Sequence, residues 1–302
     1  MYQKISPMSN SRPHLYLVKV GGKIVEDPTA LKLLLSAFSA LPGYKVLVHG
    51  GGRTATDVAA QLGIETKMVG GRRITDADML RVVTMVYAGL VNKNVVAQLQ
   101  GMGISAIGMT GADADVIRAN RRPVGEVDYG FVGDVSRVDA SRLSLLLKGG
   151  ITPVLAPLTH DGAGQILNTN ADTIAGEVAA ALAEEFEVEL LYVFEFPGVM
   201  QNPDDLTSVI PHINREKFTQ LAADGVVAGG MLPKLENCLK AVERGVHQVR
   251  ITRLEESTTT EDGTSKDCRL LRTSEHQNKP QASQNIRTSI GCFAPGTLIT
   301  LS

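Results

Sequence analysis

From residue 14 onward, short apolar runs rich in β-branched residues alternate with longer stretches in which apolar side chains recur every three or four positions. Residues 14–20 (HLYLVKV) read as a strand and 29–41 as a helix, whose start is marked by Asp27 ahead of Pro28. The same reading gives strands at 45–48, 105–109, 151–155, 190–193 and 248–252. Helices are expected at 56–62, 76–102, 171–185, 214–224 and 234–244. The strands are apolar throughout rather than alternating, as strands buried on both faces are. The pattern therefore predicts an α/β fold, a largely parallel sheet with helices on each side. Residues 253–289 break the rhythm, being rich in Ser, Thr, Glu, Lys, Gln and Asn with few core-forming side chains, and are expected to be a disordered insertion.

Composition narrows the partners. Lys+Arg 30 against Asp+Glu 32 leaves a net charge of -2, so no global field holds nucleic acid or an anionic membrane, and any anionic ligand must be held by local groups. The longest apolar runs are far shorter than the ~20 residues that span a bilayer. Cys238, Cys268 and Cys292 lack metal-ligand spacing, so no metal centre built from them is expected. With no secretory signal pattern in the first residues, a reducing, cytoplasmic setting is the expectation.

Three glycine clusters fall beside predicted elements: Gly21-Gly22 after the first strand, Gly50-Gly51-Gly52 after the second, and Gly229-Gly230 before the helix at 234–244. Glycine lets backbone N–H groups approach an anion, and helix N-termini add partial positive charge, so such loops suit phosphate. Each alone is more often a plain turn. Lys19 sharpens the reading, because it lies within an apolar strand where a charge is out of place unless a ligand uses it or its stem snorkels to an edge. Lys234 follows Pro233, which at a first helical position would set this second cation beside Gly229 and Gly230. Two cations so placed call for an anion between them, and a triphosphate is one. Asn170 reads as a helix cap, with Asp172 able to bridge both lysines. Arg73 offers a planar fork for a carboxylate, or is a solvated surface arginine. P-loop, dinucleotide-binding and serine-hydrolase motifs do not occur.

Taken together, Val18-Lys19-Val20-Gly21-Gly22, Val48-His49-Gly50-Gly51-Gly52, Gly71-Arg72-Arg73-Ile74-Thr75, Asp128-Tyr129-Gly130-Phe131-Val132-Gly133, Asn168 to Asp172, Pro197-Gly198-Val199 and Gly229 to Lys234 resemble, in order, the acetylglutamate kinases of arginine biosynthesis. The resemblance implies a three-layer αβα sandwich around a mainly parallel eight-stranded sheet. It implies an N-terminal lobe (1–184) for the acyl amino acid and dimerisation, and a C-terminal lobe (185–302) for ATP. Lys19 and Lys234 would stabilise the transferring phosphoryl group, with Asp172 orienting both. Lys19, Gly21, Gly22, Gly198, Gly230 and Lys234 would bind Mg2+-ATP, while Gly51, Gly52, Arg73 and Asn168 would hold the substrate under a hairpin lid at 130–133. Glu195 and Phe196 depart from the family's usual aspartate and small residue. The first thirteen residues carry prolines and no apolar period, so the expectation is a homodimer without the interlocking helix of arginine-inhibited members. N-succinylglutamate as substrate, another kinase of the superfamily, and a non-catalytic nucleotide or arginine sensor are the competing readings.

Overall fold

The computed structural model describes residues 12–202, 204–227, 231–257 and 290–301. The expectations placed on residues 1–11, on Gly229 and Gly230, and on 258–289 lie outside the described residues.

His14–Val20 is the middle of the main sheet, with Leu15 to Val20 all buried. It runs parallel to Tyr44–His49 on one side and to Glu187–Phe194 on the other. Beyond Tyr44–His49 lie Thr152–Leu155 and the edge strand Ala106–Met109, both parallel. Beyond Glu187–Phe194 lie Gln248–Ser257, then Thr297–Ile299 antiparallel to it, then the short His212–Ile213. Among the described residues eight strands thus form the path, and a ninth, Ile290–Phe293, pairs antiparallel with the far end of Gln248–Ser257.

Side chains alternate between two cores, as the two-residue period of a strand requires. Leu15 and Leu17 pack with Phe186 and the helices Ala171–Leu182 and Met231–Glu243, while Val18 and Val20 pack with Leu34 and Phe38 of Pro28–Ala40. Capping fixes where the helices begin. Asp27 accepts from Thr29 N and Ala30 N at 2.8 and 3.0 Å, and Asn170 from Asp172 N and Thr173 N at 2.8 and 3.1 Å.

Three sequence expectations change. The strand expected to end at 252 runs on to Ser257, because Leu254 to Ser257 find partners in Phe293 to Ile290; the irregular segment does not begin at 253. Pro233 is not at a first helical position, since the helix opens at Met231. The long helix expected at 76–102 is divided into Ala77–Val83, a π-helical stretch Thr84–Val91, and Asn92–Gly101. Such widened turns re-aim side chains and gather at functional sites. This one sets Tyr87 against Gly51, where an added Cβ would come within 3.0 Å of Tyr87 Cδ1.

Just past it, Asn92 Nδ2 donates to His49 Nε2 at 3.0 Å and to the Val154 carbonyl at 2.9 Å. With Nε2 accepting, His49 donates from Nδ1 to the Gly50 carbonyl at 2.7 Å, fixing the neutral tautomer and the turn into the second glycine loop. His49 is wholly buried, and burial lowers its pKa from the usual 6.5 to about 4. The depressed value means that the folded state favours the neutral ring. Its contribution is complete above pH 6.5 and is lost as pH falls toward 4, a linkage on the order of 3 kcal/mol. Denaturant melts between pH 7 and 4 should show that loss in wild type, and His49→Gln, which cannot titrate, should show less of it. Equal pH slopes in the two proteins would place the titration elsewhere.

Candidate active site

Ligands of open α/β sheets gather beyond the carboxyl ends of the strands, and both described glycine loops lie there. Gly50 N donates to the Val20 carbonyl at 3.1 Å, so the loops leave the sheet side by side. A Cβ on Gly22 would sit 3.7 Å from Gly52 N and 3.8 Å from Gly51 N. Glu26 locks the pair by accepting from Thr54 N (2.8 Å) and Thr54 Oγ1 (3.1 Å) on the helix that follows the second loop.

Two clefts open around these loops. The first, of approximately 230 Å³, is lined by Gly51, Gly52, Arg73, Tyr87, Asn168 and Ala171 among others. Arg73 is buried, not a solvated surface residue, and its guanidinium is held in place. Nη2 donates to the Gly52 carbonyl at 2.7 Å and to Thr56 Oγ1 at 2.9 Å, and Nη1 to Thr66 Oγ1 at 3.2 Å. Asn168 Nδ2 donates to Thr75 Oγ1 at 2.9 Å, which orients its amide. The strand ending at Asn168 belongs to a four-stranded sheet (Ile166–Asn168, Leu158–His160, Ile117–Arg121, Gly133–Val138) that the sequence reading did not resolve.

The segment expected as a lid is tied to this cleft by backbone. Thr75 N donates to the Tyr129 carbonyl at 2.9 Å and Phe131 N to the Thr75 carbonyl at 2.7 Å. Only glycine fits between them. Gly130 has φ +73, and a Cβ there would meet the Thr75 carbonyl oxygen at 2.2 Å. Arg122 also lines the cleft, pairing with Asp134 and lying 5.4 Å from the Tyr129 ring centroid.

The second cleft, of approximately 300 Å³, is lined by Gly21, Gly22, Phe194, Gly198, Met231 and Lys234 among others. Gly198 is also a packing glycine, since a Cβ would stand 2.7 Å from Thr297 Oγ1 and 2.8 Å from Val209 Cγ1. Glu195, one of the two unusual residues, takes an ion pair from Lys23 at 2.6 Å, and Phe196 is half exposed.

Three charged side chains, Lys19, Asp172 and Lys234, gather at the second cleft and the small cavity beside it. Lys19 Nζ lies 2.6 Å from Asp172 Oδ1, in a charge contact that is not an aligned hydrogen bond. Its side chain is 8% exposed, which excludes a snorkelling edge lysine. Asp172 shares a cavity of approximately 20 Å³ with Lys234, but the ion pairs among the described residues join Asp172 to Lys19 alone. The ammonium of Lys234, in the first turn of its helix, lies 4.5 Å from the centroid of the Phe194 ring, and that of Lys19 lies 5.4 Å from it. Cys238, on the same helix, is buried, and burial beside Asp172 pushes its thiol well above the ordinary range; it is an inert core residue.

Lys19, Asp172 and Lys234 are thus brought together, Lys234 lining the second cleft with Gly21, Gly22 and Gly198, while Ala171, next to Asp172 in the chain, lines the first with Gly51, Gly52, Arg73 and Asn168. The arrangement can hold two anions and neutralise charge passing between them. Sequence reasoning missed Phe194, Tyr87, Thr75 and Arg122 as members of the site. Thr75 lay inside a quoted motif, whereas an aromatic at a strand end gives no signal of its own.

Comparison with known proteins supplies an independent line. The sequence profile of the Amino acid kinase family matches residues 15–253. The acetylglutamate kinase of Bacteroides thetaiotaomicron is 62% identical over 241 residues, covering 80% of this chain and 94% of that one. That of Parabacteroides distasonis is 61% identical over 242 residues, covering 80% and 95%. Among solved structures, smu.665 from Streptococcus mutans superposes with a TM-score of 0.66 at 26% identity, covering 95% of this chain and 99% of that one.

Proposed function

From the premise that the chain belongs to the amino acid kinase family, we propose that it transfers the γ-phosphoryl group of ATP to the side-chain carboxylate of N-acetyl-L-glutamate. The observation that carries the reading is the Lys19–Asp172 pair, with Lys234 sharing a small cavity with Asp172 and lining the second cleft, and Ala171, next to Asp172 in the chain, lining the first. A glutamate side chain titrates near ~4.3, so the nucleophile is already ionised at neutral pH and needs no general base. One carboxylate oxygen attacks the γ-phosphorus, the bond to the β,γ-bridging oxygen breaks, and ADP departs, leaving an acyl phosphate. Catalysis is then positioning and charge neutralisation, the work a site of lysines and amides can do. Lys19, held by Asp172, and Lys234 face the transferring group, while Arg73 and Asn168 hold the substrate's remaining polar groups. Gly21, Gly22 and Gly198 border the nucleotide, which brings magnesium as part of the substrate. The reaction belongs to arginine biosynthesis in the cytoplasm.

An ATP-consumption assay with glutamate, N-acetylglutamate and N-succinylglutamate side by side tests this. N-acetylglutamate should be turned over and free glutamate should not, and ATP loss with glutamate alone would sink the assignment. Arg72 and Arg122 line the first cleft in addition to Arg73, and these further cations favour N-succinylglutamate as the second reading. Faster turnover of the succinyl compound would select it.

The residues toward the N-terminus form the acyl-substrate and dimerisation lobe, and those from 185 on the nucleotide lobe. Met85, Leu90 and Ile107 are exposed apolar residues of the first lobe and supply surface for a homodimer. Light scattering should give twice the 32.2 kDa chain mass; a monomer would refute the dimer.

A further inference from the structure

Phe194 is the last residue of Glu187–Phe194, at the carboxyl end of a central strand, and it lines both the nucleotide cleft and the small cavity shared by Asp172 and Lys234. Its ring is stacked on Tyr192 at 6.1 Å between centroids and 14° between planes. Tyr192 is anchored in turn, donating its hydroxyl to the Asp172 carbonyl at 3.1 Å. The ring of Phe194 is therefore tied to the start of the helix that carries Asp172. Two ammonium groups approach the same ring, Lys234 at 4.5 Å and Lys19 at 5.4 Å from its centroid. Their tips are thus within about 10 Å of one another, near enough to repel. Lys19 has the Asp172 carboxylate at 2.6 Å, whereas no ion pair among the described residues includes Lys234.

An aromatic face carries partial negative charge and attracts a cation without accepting its proton or consuming a carboxylate. We propose that Phe194 is a positioning residue for phosphoryl transfer, its ring face holding Lys234, and secondarily Lys19, aimed at the place of the transferring phosphoryl group before the nucleotide arrives. The ring suits this task better than a second carboxylate would. A carboxylate would compete with the phosphate for the ammonium and add a negative charge beside a developing one. The ring is the weaker partner, yields the ammonium to the phosphate, and leaves the cation's charge available to the transition state. The inference rests on the kinase reading for its catalytic part, but the placement of the lysine tip does not.

The experiment has two arms. In the first, the nucleotide-free protein is measured by NMR with labelled lysine. The ε-methylene of Lys234 should show an upfield ring-current shift that disappears in Phe194→Leu; absence of the shift in wild type overturns the proposal whatever the enzyme's substrate. In the second, Phe194 is replaced by mono-, di- and trifluorinated phenylalanines, which keep the shape of the ring while draining the charge from its face. Turnover with ATP and N-acetylglutamate should fall stepwise to about tenfold below wild type at unchanged KM for N-acetylglutamate, and Phe194→Tyr should retain it. A purely steric role leaves this series flat, and a flat series overturns the proposal. If wild type itself fails to phosphorylate an N-acylglutamate, the kinase reading fails while the NMR arm still decides the placement.

Discussion

Alanine at Lys19 or at Lys234 should lower kcat by ~10²–10³ while leaving KM for N-acetylglutamate within a few fold, because in the proposed mechanism each ammonium acts on charge that develops only as the phosphoryl group moves. The two variants should differ in stability. Removing Lys19 leaves Asp172 without its 2.6 Å partner in a largely buried place, which costs about 1–3 kcal/mol. Removing Lys234 gives up contact with the Phe194 ring, about 0.5–1 kcal/mol. Steady-state kinetics with thermal melts of both proteins checks the pair of statements. Near-normal turnover in either would remove that lysine from the chemistry.

The second large effect is expected at Arg73. Arg73→Lys keeps the charge but replaces a planar fork, held by the Gly52 carbonyl, Thr56 and Thr66, with a point charge on a flexible stem. The loss of fixed geometry should lower kcat/KM for the acyl substrate by on the order of 10²-fold, as misplacing a bound reactant does, with KM for ATP unchanged because the proposed nucleotide cleft is the other one. Substitution also strips buried acceptors of their donors, so the melting temperature should fall. A variant that binds N-acetylglutamate normally would show that Arg73 only braces the glycine loop.

Much of how this candidate site is placed in the fold is legible in the sequence, for a physical reason. A lysine inside an apolar strand, glycines at strand ends and an Asn cap before an acid are local conflicts or local signals, and each marks a place where backbone or charge serves something besides folding. Lys19, the loops at Gly21 and Gly50, and the helix opening at Ala171 were found in that way. The four-stranded sheet was not, because strands such as Leu158–His160 and Ile166–Asn168 are too short to carry a period and depend on pairing with distant segments. The π-helical stretch escaped for the complementary reason. The side chains of 84–91 fit an ordinary helix, and the widened turn is seen only where Tyr87 meets Gly51 and Asn92 meets His49. Phe194 escaped because its partners, Lys19 and Lys234, lie far away along the chain and meet only through the fold.

The antiparallel stem formed by the end of Gln248–Ser257 and by Ile290–Phe293 bears on protein engineering. Ser257 and Ile290 are register partners, so the chain departs and returns at one point. The stem is seated on the helix Pro28–Ala40 so closely that a Cβ on Gly291 would stand 2.2 Å from the Leu33 carbonyl oxygen. Loop-closure entropy grows slowly with length once the ends are joined, so Ser257 and Ile290 together make a natural splice port. A fluorescent or affinity module grafted there would have both ends pinned to the body of the enzyme, with Gly291 as the residue the graft must leave untouched.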